Sequence, residues 1–463
     1  MVIWSFSNNV IRINLMVIIL LRYYYKMKNS LIEGEKTSNS SLNEGTFLLK
    51  SSLIKGFFVY LQQYFYLLIP NKRSMIDNKL YEYMEELLKQ TPLEFIRYKY
   101  DEINWDSRLI GIVGPRGVGK STMILQRIKQ ATEGHHLYVA ADNIYFTTHT
   151  LIDFTDEFIK EGGTHLYIDE IHKYQGWSRE LKQIYDMHPS LKIIFTGSSV
   201  LDIKREEADL SRRALMYMMQ GLSFREYLQL FHGIKSRAFT FEEILNHQVE
   251  IPEIEHPLPL FRDYLSRGYY PFAIEGDFTQ RMLQVVDQTI EVDIPQYADM
   301  KASTARKLKR MLVILSELAP YKPSIENLAT EIGVSKNNVP DYLVYLERAG
   351  MIGLLRDDTS GMRNLGKVEK VYVDNPSLMS ILTPNPNIGN VRETFFYNQM
   401  REKQNITSSK VSDFTINGYT FEIGGKKKGK KQIENVKDGR IVKDDIETGH
   451  GIIIPLWYFG MNY

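Results

Sequence analysis

The segment Gly114-Pro-Arg-Gly-Val-Gly-Lys-Ser121 has the spacing G-x-x-x-x-G-K-S, which is typical of a loop that binds phosphate groups. An apolar run at 108–113 comes directly before it and predicts a short buried strand, and the residues after it predict a helix. Strand, glycine-rich loop and helix in this order are the context that the motif requires. The glycines let the backbone wrap closely around phosphates at the positive end of the helix.

The side chains of this loop have separate predicted roles. Lys120 would reach the β- and γ-phosphates of a nucleotide, and Ser121 would ligate Mg²⁺. A chance glycine-rich turn is the alternative, but the flanking strand and helix argue against it. The predicted ATP-binding residues are consecutive in the chain: Gly114, Pro115, Arg116, Gly117, Val118, Gly119, Lys120, Ser121 and Thr122.

A second apolar run, His165-Leu-Tyr-Ile-Asp169-Glu170, predicts a strand that ends in two carboxylates. Buried strands rarely end this way for packing reasons, because carboxylates at a sheet edge must be solvated or paired. We therefore expect Asp169 to hold Mg²⁺, directly or through water. We expect Glu170 to act as the base that orients and polarises the attacking water.

Two more strand-like runs, 136–142 and 192–199, alternate with helical stretches. This alternation predicts a parallel α/β sheet, which binds its ligands at the carboxyl ends of the strands. The later run ends in hydroxyl side chains at Thr196, Ser198 and Ser199. They could contact the γ-phosphate or its water, or they could cap the next helix.

From about Leu80 to near the C-terminus, the motifs and their order resemble one family of AAA-type ATPases. These are bacterial and archaeal proteins with a C-terminal domain of unknown function, and they are related to the STAND-like signal-transduction ATPases. The motifs are the phosphate loop, Ile168-Asp-Glu-Ile-His172, Phe195-Thr-Gly-Ser-Ser199, Arg213, Leu222-Ser-Phe-Arg-Glu226 and Tyr264-Leu-Ser-Arg-Gly268-Tyr-Tyr-Pro271. The last departs from the Gly-Gly-Tyr-Pro of the family through Arg267 and an extra tyrosine.

The resemblance implies an ATP-binding core of the P-loop NTPase fold. It also suggests that Arg213 offers a positive charge to the γ-phosphate, whereas a surface ion pair with Asp209 or a neighbour is the alternative. With Ser198 as a candidate contact, the predicted catalytic residues are Glu170, Arg213 and Ser198.

Behind the core, residues 301–373 predict helix, helix, turn, helix and two strands, which is the pattern of a winged helix. The recognition-type helix runs from Ser335 to Arg348 and would present Lys336, Asn337, Asn338 and Tyr342 to DNA. Winged helices also pack as lids or partner surfaces, so the pattern leaves both functions open.

In the last segment, Glu393, Asp413 and Glu422 resemble the metal-binding carboxylates of restriction-endonuclease-like folds. Such sites end in Glu-x-Lys, but Gly424 stands at the lysine position here. The next lysine, Lys426, lies about 7 Å further along the strand. We therefore expect a degenerate, inactive nuclease-like site.

A basic run, Lys426-Lys-Lys-Gly-Lys-Lys431, lies beside that site. Residues 424–443 hold eight basic and two acidic side chains. The run could contact a nucleic-acid backbone, or it could be a solvated surface loop.

The whole chain of 463 residues has a net charge of +1, which excludes a chain-wide electrostatic attraction to nucleic acid. It has no cysteine, which excludes disulfides, thiolate metal sites and cysteine nucleophiles and suggests a cytoplasmic protein. No apolar run reaches the roughly 20 residues of a membrane span. Residues 1–74 lack Asp, Ala and any sustained period, so we expect translation to start at Met75; a membrane-associated leader is the alternative.

The expected architecture is α/β: a P-loop NTPase parallel sheet, a helical lid, a winged helix and a small α+β endonuclease-like domain. The predicted parts are 75–107 (helical segment), 108–234 (ATPase core), 235–300 (lid or linker), 301–373 (winged helix) and 374–463 (endonuclease-like domain). The expected function is a Mg²⁺-dependent AAA-type ATPase that acts as a nucleotide-dependent switch. The alternatives are an ATP-gated module that binds protein or DNA with little turnover, and an ATP-regulated metal-dependent nuclease. A protein partner and self-association are further candidate interactions.

Overall fold

A computed structural model describes residues 76–197, 210, 212–295, 300–320, 322, 324–357 and 367–463. The predicted start at Met75, the segment 1–74, Ser198 and Ser199 lie outside the described residues. Within the described part of the chain, no helix is both long and apolar enough to cross a membrane.

The first half of the described chain is built on a five-stranded parallel sheet. Its strands are β1 (Leu109–Val113), β2 (His136–Ala140), β3 (His165–Asp169), β4 (Lys192–Gly197) and β5 (Leu215–Met218). Their order across the sheet is β2-β3-β4-β1-β5, and every neighbouring pair is parallel. The predicted α/β core and four of its strands are therefore confirmed, while β5 was not predicted. All parallel strands end at one edge, so the loops after β1 and β3 open on the same side of the sheet.

Helices cover this sheet. They are α1 (Asn78–Gln90), α2 (Lys99–Glu102), α3 (Lys120–Gln130), α4 (Leu151–Lys160) and α5 (Trp177–Met187). One face of α1 packs into the core, since Leu80 and Met84 are buried while Tyr83 is exposed. α3 begins directly after the phosphate loop, so its first N–H groups point at that loop.

Short helices follow the sheet; those within 235–300 lie where the sequence predicts a lid or linker, and we call that region the lid. These short helices are α6 (Phe224–His232), α7 (Phe241–Leu245), α8 (Pro257–Asp263) and α9 (Phe278–Gln288), with π-helical turns at Tyr264–Gly268 and Thr289–Asp293. Ser223 and Glu226 form a capping box at the start of α6. The lid lies over the phosphate loop, because a Cβ added at Gly117 would meet the ring of Phe272 at 2.5 Å.

Three helices and a hairpin come next, in the order that the sequence predicts. They are α10 (Ala302–Leu318), α11 (Ile325–Ile332), α12 (Val339–Arg348), β6 (Ile352–Arg356) and β7 (Val368–Val373). Pro340 lies in the first turn of α12, where its missing N–H costs no hydrogen bond. Tyr342 is buried, so it cannot be presented to DNA as the sequence suggested. That this unit is a winged helix stays a prediction.

The remaining elements form a small α+β unit. They are α13 (Pro376–Leu382), α14 (Ile388–Met400), β8 (Ile406–Ser408), β9 (Phe414–Ile416), β10 (Tyr419–Gly424), β11 (Gly439–Lys443) and β12 (Ile453–Pro455). The strands form one mixed sheet in the order β12-β11-β10-β9-β8. The unit contacts the core directly, because Ser223 Oγ donates a hydrogen bond to the main-chain oxygen of Tyr463 at 2.6 Å.

Candidate nucleotide-binding site

The loop between β1 and α3 holds the predicted lysine in a buried position. Lys120 is 5% exposed, and its ammonium donates to the carbonyls of Gly114 and Pro115 at 2.9 and 2.8 Å. These carbonyls belong to the loop itself, so the ammonium lies within the turn that the phosphates would occupy. A Cβ at Gly114 would meet the main-chain oxygen of Met219 at 2.2 Å, so no larger residue fits there.

Burial lowers the pH at which this lysine loses its proton. It lowers the pKa of Lys120 to about 8, and the nearby charges of Glu170 and Asp169 oppose that shift only in part. The ammonium must be charged to bind phosphate. Above pH 8 a growing fraction of the free protein is neutral at Lys120 and must take up a proton to bind ATP.

ATP affinity is therefore expected to fall between pH 7.5 and pH 9.5, by up to about tenfold per pH unit above the pKa of Lys120. Calorimetric titration with ATP at several pH values measures this. Lys120→Arg is the matched control, because a guanidinium stays charged throughout this range and should flatten the dependence. An equal decline in the native protein and in Lys120→Arg would contradict the assignment.

The first carboxylate of β3 is held by both neighbouring strands. Tyr138 on β2 donates its hydroxyl hydrogen to Asp169 Oδ2 at 2.7 Å, and Thr196 on β4 donates to Asp169 Oδ1. Burial raises the pKa of Tyr138 far above its usual value, so the phenol stays protonated and remains a donor. Thr196 thus orients Asp169, a contact that the sequence did not predict.

Glu170, the second acidic residue, has an unusual backbone conformation. Glu170 has a φ of 51°, in the left-handed region that non-glycine residues rarely adopt, and its N–H donates to Thr196 Oγ1 at 3.1 Å. Its side chain is partly exposed, 3.6 Å from both Arg116 Nη2 and His172 Nε2. Burial lowers the pKa of His172 to about 3, so this imidazole is neutral at physiological pH. The carboxylate of Glu170 therefore lies beside one charged side chain, Arg116, and one neutral side chain, His172, at the edge of the sheet.

A lid carboxylate that the sequence did not reveal completes this edge. Asp293 accepts hydrogen bonds from Arg116 Nε at 2.8 Å and from Arg116 Nη2 at 3.0 Å, and Lys173 Nζ lies 3.4 Å away. Burial lowers the pKa of Arg116, but its hydrogen bonds and charge interaction with Asp293 and the charge of Glu170 outweigh burial and raise it. Arg116 thus links the phosphate loop to the lid.

The motif at 222–226 supports the loop from behind. The buried Arg97 pairs with Glu226 at 2.9 Å and donates to the carbonyls of Val118, Gln220 and Gly221. One guanidinium therefore fixes the phosphate loop to the segment after β5. Breaking a buried ion pair leaves an uncompensated charge and is strongly destabilising. The intact Arg97–Glu226 pair therefore stabilises the geometry of the loop.

The structure does not bring Arg213 to the phosphate loop. Arg213 precedes β5 and therefore lies at the edge of the sheet opposite the loop. Its guanidinium pairs with Asp186 of α5 through two hydrogen bonds of 3.0 Å. Within one chain it is a surface ion pair, formed with Asp186 rather than with Asp209.

The three C-terminal carboxylates lie close to lysines. Lys370 Nζ lies 3.2 Å from Glu393 and 3.3 Å from Asp413, and Lys428 pairs with Glu422. Burial and the charge of Asp413 raise the pKa of Glu393. The lysine that reaches Glu422 is Lys428, two positions beyond Lys426, the next lysine after the Gly424 position. Among the residues that the structure describes, no group of three or more His, Asp or Glu side chains could hold a metal ion.

Residues 106–228 match the model of an AAA domain. This part of the chain, which holds the phosphate loop and the parallel sheet, is therefore similar to AAA domains. Residues 258–388 match a domain of unknown function, which covers most of the lid, the three helices and the hairpin.

A curated relative and two solved structures show further similarities. An uncharacterized protein of Methanocaldococcus jannaschii is 26% identical over 358 residues, which are 69% of this chain and 75% of that protein. A Walker-type ATPase of Pyrococcus abyssi has 14% identity and a TM-score of 0.40, covering 62% of this chain and 95% of that one. The Hsp104–ADP complex of S. cerevisiae has 17% identity and a TM-score of 0.25, covering 57% of this chain and 37% of that one.

Proposed function

We propose that this chain is a Mg²⁺-dependent ATPase that acts as a nucleotide-dependent switch. The observation that carries the proposal is the buried Lys120, whose ammonium donates hydrogen bonds within its loop, together with Asp169 and Glu170, whose charges partly oppose the lowering of its pKa by burial. A lysine, a carboxylate held by two hydroxyls and a second carboxylate are the groups that phosphoanhydride hydrolysis needs.

The donor atoms fit a magnesium ion. The hydroxyl of Ser121 and the carboxylate of Asp169 are hard oxygen ligands, which Mg²⁺ prefers together with water and phosphate oxygens. When bound, the ion would neutralise charge on the β- and γ-phosphates. The backbone of the loop and Lys120 bind those phosphates, Tyr138 and Thr196 orient Asp169, and Glu170 accepts a proton from the attacking water.

The test is the rate of phosphate release from ATP and Mg²⁺, measured with and without duplex DNA. Turnover that DNA leaves unchanged supports the ATPase. Turnover that appears only with DNA supports an ATPase whose partner is DNA, whereas ATP-dependent binding of DNA with little turnover favours the second candidate, an ATP-gated binding module. No release under either condition overturns the proposed activity.

The exposed lysines of the basic run 426–431 favour a nucleic acid as the partner of such a module, because they can contact phosphate groups. Lys426, Lys427, Lys430 and Lys431 are exposed, whereas Lys428 is turned back onto Glu422. A metal-dependent nuclease is disfavoured, because Lys370 is already the counter-charge of Glu393 and Asp413. Self-association and a protein partner remain further proposals for the switch.

If the exposed lysines contact a nucleic-acid backbone, binding should weaken steeply with salt. Replacing Lys426, Lys427 and Lys430 with alanine should reduce the slope of log affinity against log salt by about 2.7 on duplex DNA, at about 0.9 per phosphate contact. Titrations of labelled DNA at several salt concentrations measure it. Lys428→Ala is the matched control and should leave the slope unchanged. Equal slopes for the native protein and the triple variant would exclude this surface.

A further inference from the structure

A small cavity lies at the edge of the parallel sheet opposite the phosphate loop. Its volume is about 270 Å³, and the first residues of three neighbouring strands line it: His136 of β2, His165 of β3 and Lys192 of β4. Arg127 of α3 and Trp105, which precedes β1, line it as well. The strands span the sheet from this edge to the phosphate loop, a distance of about 16 Å. The cavity is therefore separate from the nucleotide site.

Arg127 brings a positive charge to this cavity without an acidic partner. Across the described residues, its guanidinium forms no hydrogen bond and no ion pair. Its recorded contact is with the ring of Trp105, whose centroid lies 5.3 Å from Cζ. A guanidinium carries a planar fork of N–H donors, and Arg127 is only partly buried. These donors are therefore available to an anion in the cavity.

Lys192 adds a second cation to the lining. Its Nζ lies 3.2 Å from Asp106, whose side chain is 94% exposed, and ion pairs of this kind at the surface are weak. An ammonium also has more N–H donors than this one contact uses. Among the described residues that line the cavity, Glu133 is the acidic one, and it is exposed to solvent. The two cations thus face a cavity without a buried counter-charge.

The two imidazoles beside these cations add no charge of their own at physiological pH. The rings of His136 and His165 stack with their centroids 4.4 Å apart. Burial lowers the pKa of His165 to about 4, with further contributions from His136 and from the charges of Lys192 and Arg127. The pKa of His136 is also lowered, again chiefly through burial. An anion bound here would oppose the charges of Arg127 and Lys192.

We propose that this cavity is a second phosphate site, which binds the dianion of free phosphate or of a small phosphomonoester. Arg127 and Lys192 supply two positive charges, which match a phosphate dianion better than the single charge of a carboxylate. Guanidinium groups bind phosphate oxygens through strong, charge-assisted hydrogen bonds. The volume lies just below the roughly 300–1,000 Å³ of sites for drug-sized ligands, which favours a ligand smaller than a nucleotide. This inference does not depend on the proposed ATPase function.

The first test is the pKa of His165, measured by NMR on the full chain with labelled histidines in sodium chloride and in sodium sulfate of equal ionic strength. Sulfate is the probe because it stays a dianion wherever histidine titrates. A dianion beside the ring should raise the pKa of His165 by at least about 1. Glu133, His136 and Tyr167 also line the cavity and are the same in both salts, so the difference reports the anion. An equal pKa of His165 in both salts overturns the proposal.

The second test removes the cations one at a time. Arg127→Gln keeps a long polar side chain without the charge, and we expect sulfate to bind about 10- to 100-fold more weakly. Lys192→Gln should also weaken binding, and Arg127→Lys should retain part of it. Lys129→Gln is the matched control, because Lys129 lies on the same helix and outside the cavity. A native response in Arg127→Gln overturns the proposal, and so does a response that grows with sulfate without saturation, because ionic screening alone produces that.

The source of the phosphate group is identified by titrating inorganic phosphate and glycerol 3-phosphate at neutral pH, with the ring signals of His165 as the readout. The signals are assigned through their loss in His165→Gln. Binding of phosphate alone indicates free phosphate, whereas equal binding of both indicates a phosphomonoester. Acetate that binds as tightly as phosphate overturns the assignment to a dianion. Because the readout is local to His165, it separates this site from the phosphate loop, and its outcome is distinct from the presence or absence of ATP hydrolysis.

Discussion

Lys120→Ala is expected to weaken ATP binding by about 30- to 4,000-fold. The ammonium is buried in the loop, and removing one partner of a buried, hydrogen-bonded charge pair costs about 2–5 kcal/mol. The phosphates would then face the carbonyls of Gly114 and Pro115 without a cation between them. The loss should therefore appear in affinity and not only in rate.

Calorimetric titration of ATP into the native and variant proteins measures this loss. Lys129→Ala is the matched control, because Lys129 lies on the same helix, is exposed and donates to the carbonyl of Thr91. Its affinity for ATP should equal that of the native protein. Unchanged affinity in Lys120→Ala would mean that the nucleotide binds somewhere other than this loop.

Glu170→Gln is expected to keep ATP bound and to lower turnover about 10²- to 10⁴-fold, which is the usual contribution of a general base. The amide has the shape of the carboxylate, but it cannot accept the proton of the attacking water. Asp169, Tyr138 and Thr196 are unchanged in this variant, so the proposed magnesium ligand stays oriented.

Steady-state phosphate release and ATP titration on the same preparation separate the two effects. Glu331→Gln, which removes an exposed carboxylate on α11, serves as the control and should behave like the native protein. Loss of binding together with turnover would assign Glu170 to nucleotide binding instead of to catalysis.

The parts of the site that the sequence predicts are those that one short segment specifies. The phosphate loop and the pair Asp169–Glu170 each follow a continuous apolar run, and buried parallel strands have that pattern. Strand β5 was missed although its four residues, Leu-Met-Tyr-Met, lie within the apolar run 214–219. At the edge of the sheet Leu215 is exposed and the other three residues are only partly buried, so β5 lacks the full burial of the central strands.

The parts that the sequence could not predict are formed by residues far apart in the chain. Arg116 and Asp293 are separated by 177 positions, and Arg97 and Glu226 by 129. Arg116 and Glu226 belong to local motifs, but their partners Asp293 and Arg97 do not. Each ion pair depends on how the lid or the N-terminal helices pack against the sheet. Arg213 shows the converse: a basic residue in a suggestive place in the sequence lies, in the folded chain, at the opposite edge of the sheet from the loop.

The most direct test of the central claim is to identify the nucleotide that remains on the protein after it is mixed with ATP and Mg²⁺ and rapidly separated from free ligand. The account predicts intact ATP on Glu170→Gln, ADP on the native chain with phosphate released, and no nucleotide on Lys120→Ala. Phosphate release by Glu170→Gln at the native rate, or intact ATP on the native chain after prolonged incubation, would contradict it.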